Sequence, residues 1–480
     1  MKSENADLSL LCQVGNQPVR RTMSNPSSKA VWGAVLALAL LWPTPGLASS
    51  GRSARSHKAV ESSSGESRSV IIRVKAGRKA AVTNKVSRRT SHFHVHRLIN
   101  AVTAKLSPRE IREFANDPDV EGVSINADVT ALALPADQGP PLTGLDAVVP
   151  DLRQVLGLGT EYTGSGVTVA IIDSGVASSF DFGLRILAQY RFTNGAPGVP
   201  SQPYDDYGHG THVAGLIGSS GVTSDHKYAG VAPGAKLLSL KVLDRYGSGR
   251  TSDVINALEF AVANKARFGI KIVNLSLGHP IYESAKTDPL VQAVEATVRS
   301  GLVVVVASGN HGFNPVTGKT GYAGVTSPGN APSAITVGAA LTNNTPTRTD
   351  DRLAAYSSRG PSWYDGIAKP DILAPGHGLV SNDARGSTLD DLPGLVVRDG
   401  YTSYLRLSGT SMAAGVVSGV AALMIEANQS GAHQRWDVYQ NSLRKNLRTA
   451  FQPPPVLSGN AIKVYPRLKA QIDKQARGNA

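Results

Sequence analysis

Beyond residue 164 short apolar runs recur without the polar alternation of half-exposed strands: VTVAIID, KLLSLKVL, IKIVNLSL, LVVVVASG and AITVGAA. Runs of this length fit strands covered on both faces of a parallel sheet. Between them, SDVINALEFAVANKA and DPLVQAVEATVRSG read as helices, each opening on an acidic turn. Strand and helix alternate, so the predicted architecture is α/β, with a mainly parallel central sheet flanked by helices. Two more helices begin at GHGTHVAGLIG and SGTSMAAGVVSGVAALMIEA. The second is apolar nearly all round yet starts on Ser408-Gly409-Thr410-Ser411, more hydroxyls than capping alone requires.

A smaller α+β unit precedes this region. SVIIRVKAG and VEGVSIN read as strands, and LSPREIREFANDPDV as a helix with a Ser cap, a Glu three residues later and a Pro-marked stop. Residues 49–68 are Ser/Gly-rich and linker-like, and ALPADQGPPLTG, with Gly139-Pro140-Pro141, reads as an exposed connector. At the start, Lys29, an apolar run over 31–42, Pro-Thr-Pro and the small residues up to Ala48 describe a secretory signal peptide. That run is too short to span a bilayer, so no stable membrane span is expected once the signal is removed. Arg20-Arg21 suggests twin-arginine export, and Met23 is an alternative start. The expected plan is a signal peptide over 1–48, a linker and small α+β domain over 49–134, and the main domain over 135–480.

Composition narrows the function. The 480 residues are 41% hydrophobic with 49 Gly, which describes a folded, loop-rich globule. The net charge of +13 divides as +2 over residues 1–50, +7 over 51–128 and +4 over 129–480. The excess therefore sits mainly before the large domain, which shows no basic stripe with interleaved aromatics, and nucleic acid is not an expected partner. The one cysteine, Cys12, lies inside the signal peptide, so the exported chain has neither disulfides nor thiol chemistry.

In parallel α/β sheets reactive groups gather at the carboxyl ends of strands. Asp173 closes VAIID, Asn310 closes VVVVASGN, His209 opens one helix and Ser411 opens another. Taken singly, an Asp or Asn there is a turn former and a His or Ser a cap. Together they supply what an activated alcohol needs: a base for its proton, an acid to fix the base's tautomer, and donors for the oxyanion. A zinc hydrolase is the competing reading of HGTH, but that segment lacks the glutamate and the i,i+4 histidines of HExxH.

The flanking residues carry a resemblance. VAIIDSGV, GHGTHVAG, ASGNHG and SGTSMAAG, in this order, resemble the signature segments of the subtilisin-like serine proteases, as do GVAPGAKLLSLKVLD, NLSLG, YSSRGP and KPDILAPG. The likeness covers roughly 164–470. It implies that Ser411 is the nucleophile, His209 the base and Asp173 its orienting acid, that the Asn310 side chain and the Ser411 N–H form the oxyanion hole, and that His212 is structural. It further implies that Tyr246-Gly247-Ser248-Gly249 and Ser276-Leu277-Gly278 sandwich the substrate backbone, that Ala307-Ser308-Gly309 wall the pocket for the residue before the cut, and that Thr326 lies near its base. SVIIRVKAG and AVTAKLSPREIREFANDPDVEGVS resemble the inhibitor-type propeptide of these enzymes.

The implied protein is a secreted, monomeric serine endopeptidase made as a self-processing zymogen. It acts on proteins or peptides and is inhibited by its own propeptide. A self-cleaving binding protein on the same fold is the alternative. No cofactor is required for the chemistry, and a structural calcium ion stays unassigned because IGSSGVTSDHKYAG does not resemble the family's calcium loop. The chain also departs from the family in carrying Gly415 four residues after Ser411, where proline is usual, and SNDARGSTLDDLPGLVVRDGY reads as an inserted surface loop.

Overall fold

A computed structural model describes residues 66–133, 151–314, 317–392 and 394–429. The segment read as a signal peptide, the Gly-Pro-Pro connector and the end of the chain lie outside the described residues.

The N-terminal unit runs β1 (Arg68–Val74), α1 (Lys79–Ser87), β2 (Phe93–Val95), β3 (Ala101–Leu106), α2 (Pro108–Ala115) and β4 (Val120–Ile125), and then continues into β5 (Asp128–Ala131). β1 to β4 form one antiparallel sheet in the order β2-β3-β1-β4. The expected capping box is present: Ser107 Oγ accepts from Glu110 N, and Glu110 Oε2 accepts from Ser107 N at 2.9 Å. Alternation along β1 divides its burial. Val70, Ile72 and Val74 join Val82, Val86, Ile111 and Phe114 in a local core, whereas Ile71 belongs to a cluster shared with the main domain.

In the main domain the elements are α3 (Leu152–Val155), β6 (Thr168–Asp173), β7 (Ile186–Arg191), β8 (Val199–Ser201), α4 (His209–Gly218), β9 (Lys236–Lys241), β10 (Ser248–Arg250), α5 (Thr251–Ala263), α6 (Lys265–Phe268), β11 (Ile270–Leu275), β12 (Leu277–Gly278), α7 (Pro289–Arg299) and β13 (Val303–Ala307). There follow β14 (Phe313–Asn314), β15 (Lys319–Thr320), β16 (Ile335–Leu341), β17 (Arg352–Leu353), β18 (Ile372–Pro375), β19 (Leu379–Asn382), β20 (Val396–Asp399), β21 (Thr402–Leu407) and α8 (Thr410–Gln429). The central sheet has the order β17-β16-β13-β11-β6-β9-β7-β8, with β18 also on β16. Only β8 and β17 run antiparallel to their neighbours.

Both faces are covered, as the continuous apolar runs require. Val169 and Ile171 of β6 face a cluster with Val213, Ile217, Val416 and Val420 of α4 and α8. Ala170 and Ile172 face Val254, Leu258, Leu290 and Val294 of α5 and α7 on the other side. α8 is long and apolar enough to cross a membrane, but it is mostly buried as the core helix of this layer.

Two helices meet closely where their glycines fall. A Cβ on Gly415 would lie 3.4 Å from Val213 Cγ1, and one on Gly419 would lie 2.6 Å from Val231 Cβ and 3.3 Å from Ile217 O. Residues 415 and 419 thus pass 213 and 217 in the same direction, so the N-termini of α4 and α8 lie at the same end. That end carries His209 and Ser411.

The region read as an inserted surface loop is structured in part. β20 and β21 continue an antiparallel sheet from β19, and Leu389 and Leu395 are buried in the α4/α8 layer. Thr388 N and Leu389 N donate to Asp206 O and Tyr207 O. The polar residues that suggested an exposed loop are spaced around these apolar anchors.

Candidate active site

Asp173, fully buried at the end of β6, accepts from Ser174 N at 2.7 Å through Oδ1, and the same oxygen lies 2.8 Å from His209 Nδ1. Facing a carboxylate, Nδ1 carries the hydrogen, leaving Nε2 as the basic nitrogen. Backbone geometry holds the ring there. A Cβ on Gly210 would fall 2.1 Å from Gly175 O, so glycine alone permits this approach of α4 to the turn after β6. Asp205 also fixes the helix start, accepting from Gly208 N at 2.8 Å, Thr211 N at 2.8 Å and Thr211 Oγ1 at 2.8 Å. Burial pushes the Asp205 carboxyl up from its ordinary range, against these donors. Sequence reasoning missed this residue. Its signal was an acidic residue just ahead of a helix start, a capping pattern.

The hydroxyls of Ser408-Gly409-Thr410-Ser411 now have separate tasks. Ser408 Oγ accepts from Gly378 N at 2.9 Å. Thr410 donates to Asn310 Oδ1 from both its N and its Oγ1, each at 3.0 Å, and Thr410 Oγ1 accepts from Gly309 N at 3.1 Å. Because Oδ1 receives two donors, the Asn310 amide must aim its NH2 group the other way. There Nδ2 donates to Leu132 O at 2.8 Å. A Cβ on Gly409 would lie 2.5 Å from that same carbonyl oxygen, so this glycine is the one residue that admits it. Ser411 is fully buried; its Oγ donates to Ser276 O at 2.9 Å, and its own carbonyl accepts from Ser276 Oγ at 3.0 Å.

This last contact departs from the sequence-based picture, in which His209 receives the Ser411 proton directly. His209 Nε2 is buried and makes no hydrogen bond, and the Ser411 hydroxyl is turned to the Ser276 carbonyl. Serine hydroxyls rotate among staggered positions, and the Ser276 carbonyl is the acceptor taken here.

The segments expected to hold a substrate backbone are paired with the protein's own chain. β5 lies between β10 and β12 and is antiparallel to both, with Gly249 opposite Val129, Ser248 and Gly278 opposite Thr130, and Leu277 opposite Ala131. Ala131 N donates to Gly247 O at 3.0 Å and Leu132 N to Ser276 O at 3.3 Å. Gly247, Ser248, Gly249, Ser276, Leu277 and Gly278 therefore all border the inserted strand. Tyr246 is 72% exposed and forms no part of the ladder. Ala307 ends β13, Ser308 and Gly309 carry the chain on into the site, and all three are buried. Thr326 packs between the two walls, since a Cβ on Gly278 would meet its Oγ1 at 2.8 Å and one on Gly309 its Cγ2 at 2.9 Å.

His212 stands apart from these groups, as expected. Its Nε2 faces Leu379 O at 3.0 Å and Leu405 O at 3.1 Å, and burial lowers its pKa to about 3, so it is a neutral strut between α4 and the β19–β21 sheet.

Comparison with known proteins gives the family. The sequence model of the subtilase family matches residues 164–458. The serine protease AprX of Bacillus subtilis is 37% identical over 336 residues, covering 69% of this chain and 71% of its own. Subtilisin E of the same organism is 34% identical over 354 residues, covering 73% and 76%. Among solved structures, fervidolysin from Fervidobacterium pennivorans, described as a keratinolytic enzyme related to subtilisin, superposes with a TM-score of 0.56 at 21% identity, over 78% of this chain and 56% of its own, a likeness of fold. The chain belongs to the subtilase family of serine endopeptidases.

Proposed function

We propose that the protein is a secreted endopeptidase made as a self-processing zymogen, in which residues 66–132 are a prosegment and the bond between Leu132 and Ala133 is the one it cuts in itself. The observation that carries this reading is the Leu132 carbonyl. Its oxygen accepts from Asn310 Nδ2 while the strand before it is paired on both sides. An extended chain held this way presents one carbonyl to the helix N-terminus that bears Ser411.

The chemistry follows from the named atoms. Ser411 Oγ turns from the Ser276 carbonyl and attacks the Leu132 carbonyl carbon, while His209 Nε2 takes its proton. Asp173 holds the imidazole in the tautomer that leaves Nε2 free and stabilises the imidazolium. The negative oxygen is held by Asn310 Nδ2 and the Ser411 N–H, at a helix start whose dipole also favours negative charge. Collapse breaks the C–N bond, and His209 returns the proton to the departing Ala133 amine. Water activated by the same imidazole then hydrolyses the Leu132 ester. Other polypeptides enter by the same ladder once the prosegment strand has left.

The test is the N-terminus of the mature protein, read by mass spectrometry. It should be Ala133, and Ser411→Ala made without other proteases should remain uncut. A processed N-terminus in that variant would sink the assignment. Labelling of the mature protein by a fluorophosphonate probe would separate an enzyme from a chain that cleaves once and then only binds.

A further inference from the structure

The sequence SHFHVH places His92, His94 and His96 at alternate positions, which in an extended segment puts them on one face. His94 lies in β2 and His96 just after it. Their ring centroids are 5.0 Å apart, with planes at 69°. His96 is fully buried. Its Nε2 is 2.7 Å from Thr103 Oγ1, whereas its Nδ1 makes no hydrogen bond and faces Glu259 Oε1 at 3.5 Å. Glu259 belongs to α5 of the main domain, so this contact crosses from the N-terminal unit to the protease. The carboxylate is pinned there, because Oε1 also accepts from Arg97 N at 2.7 Å and Leu98 N at 3.0 Å.

One ligand atom from each of His94, His96 and Glu259 lies within 4.8 Å of the others. Tetrahedral zinc with bonds of about 2.0–2.1 Å needs donor separations of roughly 3.4 Å, so modest side-chain motion closes the set. Two imidazole nitrogens and one carboxylate suit a borderline ion better than calcium, which takes oxygen ligands. Thr103, bonded to the far nitrogen of His96, fixes that ring as an outer partner of a metal ligand does.

We propose that His94, His96 and Glu259 bind a divalent transition ion of the zinc class, and that the filled site fastens the N-terminal unit to the protease. The fastening has regulatory meaning because residues 66–132 are read as a prosegment: after the cut, the ion slows departure of the inhibitory strand. Removing the N-terminal unit takes two of the three ligands with it, so the freed protease keeps Glu259 alone from this site.

The experiment uses full-length Ser411→Ala protein, which keeps the chain in one piece, stripped with chelator and titrated with zinc by calorimetry and with cobalt by visible absorption. One equivalent should bind, with cobalt bands of a low-coordinate nitrogen and oxygen site. His94→Ala, at an exposed position, should weaken binding at least tenfold and abolish those bands. Glu259→Gln should also weaken binding, while its amide oxygen still accepts from Arg97 N and Leu98 N. In self-processing protein, zinc should delay the rise of peptidase activity severalfold after the cut, and His94→Ala should remove the delay. Absence of stoichiometric binding, or zinc affinity and cobalt bands unchanged in His94→Ala, overturns the proposal. The Ser411→Ala titration reads the metal site without any processing, so it would stand even if the prosegment reading failed.

Discussion

Asn310→Ala separates what this side chain does for the reaction from what it does for the fold. Its Nδ2 lies 2.8 Å from the Leu132 carbonyl oxygen and its Oδ1 takes two bonds from Thr410. Alanine removes the donor, and loss of one preorganised oxyanion donor costs about 100 to 1000-fold in kcat, or roughly 3–4 kcal/mol of barrier. The same change strips Thr410 N of its acceptor in a fully buried position, where an unsatisfied donor costs about 1–3 kcal/mol of stability. Thr410 Oγ1 still accepts from Gly309 N, so the helix start should be weakened without being lost. Two assays are needed. Steady-state kinetics on a peptide with leucine before the cut should show a fallen kcat and a nearly unchanged KM, because charge on that oxygen develops only in the transition state. Thermal unfolding of the variant should show a melting temperature lowered by a few degrees. A rate loss below about tenfold, or one expressed mainly in KM, would mean that the donor is elsewhere.

Other outcomes follow from the same site. A peptide library should favour medium apolar residues such as Leu or Met before the cut, since Leu132 is buried there and Thr326 fills space between the pocket walls at Gly278 and Gly309; a library dominated by Phe and Tyr would refute this. A separately produced fragment of residues 69–134 should inhibit the mature enzyme competitively at both low and high salt. Its Ile71, Ile99, Ala101 and Val129 join the apolar α5/α7 layer, the Arg250–Asp128 pair is largely exposed, and the Arg73–Glu283 pair is largely buried and so little screened by salt. Inhibition that vanishes between about 0.05 and 0.5 M salt would mean that charge supplies the affinity.

The parts legible in the sequence were those with local causes. The doubly covered strands show as unbroken apolar runs because no face needs polar residues. The box of Ser107 and Glu110 is complete within one helical turn. Asp173, His209, Asn310 and Ser411 were identified by motif, and the fold brings their segments to one end of the sheet. Other parts depend on partners distant in sequence. Helix α1 buries only Val82 and Val86, so KAAVTNKVS carries little periodicity and is stabilised by the sheet beneath it. The short β5 reads as nothing in particular until β10 and β12 flank it. The rotamer of Ser411 is set by the Ser276 carbonyl, which comes from the distant junction between β11 and β12.

The inserted strand β5 is part of the same chain as the two strands that flank it. While the chain is whole, β5 meets its two neighbours at an effective concentration of order millimolar, whatever the protein concentration outside, and the proposed first cut would be a unimolecular event with a rate that dilution cannot change. After the proposed cut at Leu132, the same contacts would hold a separate molecule whose occupancy obeys mass action. On the proposed self-processing, dilution would then be the releasing signal: an enzyme cut in a confined compartment would stay silent there, and become active after spreading into a volume where its prosegment falls below the dissociation constant.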